Sequence, residues 1–145
     1  MKIAVGSDHA GFELKAHLVA FLVQGGHEVV DLGVDAPVRS DYPDQAAAVG
    51  AAVAAGEAAR GLLVCGTGVG MAIAANKVRG VRAANCDELF VARLARAHND
   101  ANVLALGARV IGPGLAEAIL EAFLETPFDG GRHALRVGKI GDLEG

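Results

Sequence analysis

Short apolar runs alternate with longer stretches of helical period along the whole chain, and this rhythm restricts its fold more than any single motif. The runs are Lys2–Ser7, Glu28–Leu32, Gly61–Cys65, Val81–Asn85 and Asn102–Leu106. Runs that are apolar rather than alternating suit strands covered on both faces. Between them the spacing predicts helices. One spans Gly11–Gly25, with Leu14, Leu18, Phe21 and Leu22 on one face and Gly25-Gly26 as its stop. A second runs from Pro43 to about Gly56, with Asp44 near its positive end. Others follow the glycine loop to about Lys77, span Asp87–Ala97 and Pro113–Glu125, and form a tail over about 130–144. Strand–helix alternation predicts an α/β fold with a parallel sheet between two helical layers.

The chain has 145 residues, room for one core and one domain over 1–145. A catalytic domain plus a separate cofactor domain would not fit easily. Hydrophobic residues make up 52%, which excludes a disordered chain. The alanine-rich stretch Ala46–Ala59 reads as a helix whose small side chains let it approach the sheet closely. A net charge of −4, 4% aromatic residues and no Trp argue against nucleic acid and anionic membranes as partners. Cys65 and Cys86 lack CxxC spacing, so neither a disulfide framework nor a zinc site is expected. No signal-like segment and no apolar run of about 20 residues is visible, which predicts a soluble cytoplasmic protein.

In open parallel sheets, ligands bind beyond the carboxyl ends of the strands. Ser7-Asp8-His9, Cys65-Gly66-Thr67 and Gly107-Ala108-Arg109 all follow predicted strands and are expected on one rim. Cys65 opens the loop Gly66-Thr67-Gly68-Val69-Gly70, whose amides suit an anion. The spacing matches neither a Walker A loop nor GxGxxG. A thiol there suits a base or nucleophile, although a cysteine is more often a small buried hydrophobe, as Cys86 is read to be. Asp8 serves equally well as a helix cap and His9 as a surface residue. His98-Asn99-Asp100 combines a proton-exchanging imidazole with good turn formers. Arg132 and Arg136, four apart on a helical tail, form either a phosphate clamp that Arg109 can join or a solvated basic face.

The segments GSDHAGFELK, DYPD, CGTGVGMAIAANK, HNDANVLALGARVIG and GGRHALRV together resemble the ribose-5-phosphate isomerase B family, which includes galactose-6-phosphate isomerase subunits. The resemblance runs from Lys2 to about Val137. It implies a Rossmann-like three-layer α/β/α sandwich with a mostly parallel five-stranded sheet. It also implies a homodimer or homotetramer with sites shared between subunits, and no cofactor or metal. The implied reaction interconverts D-ribose 5-phosphate and D-ribulose 5-phosphate through a cis-enediolate. Cys65 would be the base, His98 the ring-opening acid or base, and Thr67 with the amides of Gly66, Gly68, Val69 and Gly70 the oxyanion support. Asp8, His9 and Asn99 would bind the sugar, and Arg109, Arg132 and Arg136 the phosphate. A subgroup that uses glutamate as base carries it at the position of Met71, so the chain resembles the cysteine subgroup. A hexose 6-phosphate substrate, such as allose or galactose 6-phosphate, and a non-catalytic sugar-phosphate-binding module are the competing readings.

Overall fold

A computed structural model describes all residues 1–145. In chain order the elements are β1 (Lys2–Ser7), α1 (Phe12–Gln24), β2 (Glu28–Asp31), α2 (Tyr42–Ala54), β3 (Arg60–Cys65), α3 (Val69–Ala75), β4 (Ala83–Asn85), α4 (Leu89–Ala97), β5 (Val103–Gly107), α5 (Pro113–Glu125) and α6 (Arg132–Asp142). The strands form one sheet in the order β2-β1-β3-β5-β4. Every neighbouring pair is parallel, so the expectation of a mostly parallel sheet becomes an entirely parallel one.

The central strands alternate their side chains between two apolar layers. Ile3, Val5, Leu62, Val64, Leu104 and Leu106 face α1, α4 and α5, where they meet Leu18, Ala92, Ile119 and Phe123. Ala4, Leu63, Cys65, Val103 and Ala105 face α2 and α3, packing on Ala46, Val49, Met71 and Ala75. The alanine-rich helix lies close to the sheet. A Cβ at Gly61 would fall 2.7 Å from Val49, so the small residues are a packing requirement.

Two boundaries differ from expectation. The fourth strand begins at Ala83 rather than Val81, because nearby turns take the preceding amides. Val81 N–H donates to the Val78 carbonyl and Arg82 N–H to Asn102 Oδ1. The third helix ends at Ala75 rather than Lys77. There Asn76 turns its amide onto the edge strand, donating to the Ala83 carbonyl at 2.9 Å and accepting its N–H at 2.8 Å. No helix is long and apolar enough to cross a membrane.

Candidate active site

The chain order reverses direction across the sheet between β1 and β3, the place where an open α/β sheet leaves a crevice. Cys65 ends β3, beside Gly107 at the end of β5, and Val64 pairs with Ser7 at the end of β1. Adjacent strands lie roughly 4.8 Å apart, so the three strand-end segments expected on one rim do share it.

Cys65 is 5% exposed. Its Sγ accepts the Gly68 N–H at 3.1 Å, which turns the positive end of the peptide toward the sulfur. Gly68 has φ 85°, a left-handed conformation that reverses the loop. Thr67 Oγ1 accepts the Val69 N–H at 3.2 Å, leaving its own hydroxyl proton to donate outward. Arg109 lies over the loop: a Cβ on Gly66 would be 3.4 Å from its Nη1. Asp8 is buried and caps the next turn, accepting the Gly11 N–H at 3.0 Å. His9 Nδ1 accepts the Ser40 N–H at 3.3 Å, so in the neutral ring Nε2 carries the proton. Asp8, His9, Arg39, Ser40 and Tyr42 line a depression of about 460 Å³.

His98, Asn99, Arg132 and Arg136 lie elsewhere. His98 caps the end of α4, and residues 99–102 lead into the start of β5. That is the opposite edge of the sheet from Cys65. Five residues of β5 separate the edges, roughly 13 Å at about 3.3 Å per residue. Arg109 therefore does not join Arg132 and Arg136 within one chain. The tail is helical as expected and places these two at the start of α6. The turn carrying His98 is fixed by charge. Asp100, at φ 48°, accepts from the buried Arg96 at 2.9 Å and from Arg82 at 3.4 Å. Arg96 also donates to the Ala101 carbonyl at 2.6 Å.

Several residues of these two regions were not singled out in the sequence. Asn85 ends the edge strand at the Cys65 rim and spends both amide protons on the loop support. It donates to the Thr67 carbonyl at 3.2 Å and the Ala105 carbonyl at 3.1 Å. Its position after an apolar strand, like those of Asp8 and Cys65, was the available signal. Tyr42 packs against Gly70, where a Cβ would be 2.5 Å from its ring. At the other edge, the His98 and His133 rings stack with centroids 4.1 Å apart and planes 8° from parallel. Donor atoms of His98, Asp129 and His133 lie within 4.8 Å of one another, a grouping no sequence spacing announced. Imidazole lone pairs lie in the ring planes, so the stacked rings do not aim theirs at one shared ion. Cys86 is 1% exposed, and burial, then Asp87 and Glu88, push its thiol up to about 11, in keeping with an inert core residue.

A thiol and a glycine loop at the switch point of a parallel sheet, overhung by an arginine, define an α/β protein of the class that takes small ligands beyond its strand ends. The chain belongs to the Ribose/Galactose Isomerase family, whose model matches residues 3–140, and it is an enzyme of the isomerase class. It is 52% identical over 143 residues to ribose-5-phosphate isomerase B of Escherichia coli (strain K12), covering 99% of this chain and 96% of the relative. A solved ribose-5-phosphate isomerase B of Clostridium thermocellum superimposes with a TM-score of 0.98 at 53% identity, covering 99% of this chain and 97% of that one. D-erythrulose-4-phosphate isomerase of Pectobacterium atrosepticum is 46% identical over 145 residues, covering 99% and 95%.

Proposed function

We propose that the protein interconverts D-ribose 5-phosphate and D-ribulose 5-phosphate. The observation that carries this reading is the Cys65 thiol at the switch point, receiving the Gly68 N–H at 3.1 Å in a full-length member of the family. In the proposed reaction His98 moves a proton to open the sugar ring. Cys65, acting in its thiolate form, then takes the C2 proton and becomes the thiol, leaving a cis-enediolate whose charge faces the Thr67 hydroxyl and the remaining loop amides, those of Gly68 and Val69 being bonded to Cys65 Sγ and Thr67 Oγ1. Donors fixed in advance at such a charge cost no reorganisation as it develops. The C2 proton returns at C1, while the hydroxyl proton moves from O2 to O1, so aldose and ketose differ by no atom. Asp8, His9 and Asn99 hold the sugar, and Arg109, Arg132 and Arg136 hold the phosphate. Nothing in this scheme calls for a cofactor.

The separation of Cys65 and His98 supports a site assembled from two copies. In a two-fold dimer, Cys65, Asp8, His9 and Arg109 of one chain would meet His98, Asn99, Arg132 and Arg136 of the other. Exposed apolar residues beside both halves favour this reading: Val69 and Ile73 flank the loop, and Leu135 lies on α6. A dimer of such dimers remains compatible with the same shared site.

The test is turnover of ribose 5-phosphate without added metal, compared with allose 6-phosphate, galactose 6-phosphate and D-erythrulose 4-phosphate. The expected order places the pentose phosphate first by kcat/KM. Equal or greater kcat/KM on a hexose phosphate would overturn it. The tetrulose phosphate is included because a relative 46% identical to this chain carries that name. Binding of these esters without turnover of any would favour a sugar-phosphate-binding module.

A further inference from the structure

We propose that His133 is a positioning residue for His98: its ring, stacked face to face on that of His98, fixes the plane in which His98 delivers and accepts its proton. The inference rests on the role given to His98 above. His98 follows the last turn of α4 and has no side-chain hydrogen bond of its own within the chain. An imidazole so placed is free about χ2, and a ring that rotates does not present Nε2 or Nδ1 at a fixed point. The His133 ring removes that freedom by contact, at 4.1 Å between centroids and 8° between planes. Its own place is secure, since it is 9% exposed and in the first turn of α6, where its N–H donates to the Gly130 carbonyl at 3.0 Å. The Asp129 N–H, bonded to the Ala97 carbonyl at 2.9 Å, ties that turn directly to the end of α4. The two rings are thus held by neighbouring backbone rather than by long side chains.

The surrounding charge disfavours a further positive charge at His133. Facing His133 are His98 from α4, Arg132 and Arg136 from α6, and Asp129 from the segment before it. Burial, then the charges of His98 and the two arginines, lower the tendency of His133 to protonate, and Asp129 only partly offsets them. A ring of fixed plane and no charge is what a partner for an acid–base histidine requires, and stacking alone supplies the first property.

The experiment compares wild type, His133→Ala and His133→Phe. Phenylalanine keeps a flat face without a titrating group. The readouts are melting temperature, kcat and KM on ribose 5-phosphate across pH 5.5–8.5, and the NMR position of the His98 ring protons. The expected result is a fall in kcat of about tenfold in His133→Ala with KM little changed, and recovery to within about threefold in His133→Phe. The His98 ring protons should lose their ring-current shift in the alanine variant and retain it in the phenylalanine variant. A folded His133→Ala protein with wild-type kcat and pH profile overturns the proposal. So does a His133→Phe protein as impaired as the alanine variant. If the alanine variant does not fold, the phenylalanine variant and the wild-type spectrum still decide, because an unshifted His98 resonance in wild type refutes the stack. Wild type inactive on every sugar phosphate, with the ring-current shift present, would remove the isomerase reading and the positioning role with it.

Discussion

Replacing Cys65 with alanine separates what this residue does for the fold from what it does for the reaction. In the folded chain the side chain fills a small volume in the α2–α3 layer, in the same apolar cluster as Leu63, Met71 and Ala105. It also accepts one hydrogen bond, from Gly68 N–H at 3.1 Å. Losing a neutral acceptor costs about 0.5–1.5 kcal/mol, and the sulfur-sized gap adds a similar amount at most. A domain of this length loses roughly 2–4 °C of melting temperature per kcal/mol, so the variant should melt no more than about 12 °C below wild type. Loss of a positioned base costs about 10²–10⁴ in rate, which is roughly 2.7–5.5 kcal/mol of barrier. The same change therefore leaves a folded protein and removes nearly all turnover. Isothermal titration of inorganic phosphate should give an affinity close to wild type, because no phosphate-binding residue is altered. The assay is continuous conversion of ribose 5-phosphate, followed with thermal unfolding on the same preparation. A kcat within about threefold of wild type in a folded variant would refute Cys65 as the base.

Other expectations follow from the same geometry. Mixing Cys65→Ala chains with His98→Ala chains under exchange should restore about a quarter of wild-type activity, since a two-fold heterodimer holds one intact site of two; no recovery despite mass-spectrometric proof of mixed dimers would exclude the shared site. Asn85→Asp places a carboxylate against the Thr67 and Ala105 carbonyls, at 3.2 and 3.1 Å in the parent, and should cost about 1–3 kcal/mol of stability and lower kcat more than it raises KM. Denaturant melts with unchanged stability would show that this amide does not hold the loop. Cys86 contributes a pH dependence of defined sign. Its thiol is raised to about 11 in the fold but ionises near 8.5 when unfolded, so the unfolded chain binds fewer protons between those values. Stability should therefore fall as pH rises from about 8.5 toward 11, and Cys86→Ala should flatten that slope in denaturant melts at several pH values.

The sequence by itself determined the layering and the rim. Buried strands need apolar residues on both faces, and helices need a 3.6-residue period, so Lys2–Ser7, Arg60–Cys65 and Val103–Gly107 are legible within a residue or so of where they fold. The rule that loops after parallel strands share one edge then placed Asp8, Cys65 and Arg109 together without any contact being visible. The later start of the fourth strand, at Ala83 rather than Val81, was not legible, because side chains from Asn76 and Asn102 take hydrogen bonds that a strand would otherwise make.

Tertiary structure alone decided how the candidate residues divide. His98 and Cys65 both border strands, but one precedes its strand and the other follows, and only the sheet turns that difference into opposite edges. The stack of His98 on His133 joins residues 35 positions apart, one capping the end of α4 and one on α6, with no periodic signal linking them. Asn85 reaches the loop only because β4 is placed beside β5 rather than beside β3. Local pattern reports which face a residue takes and which end of an element it occupies. Which elements become neighbours is set by packing the whole core at once, and in this chain that packing separates Cys65 from His98 and pairs His98 with His133.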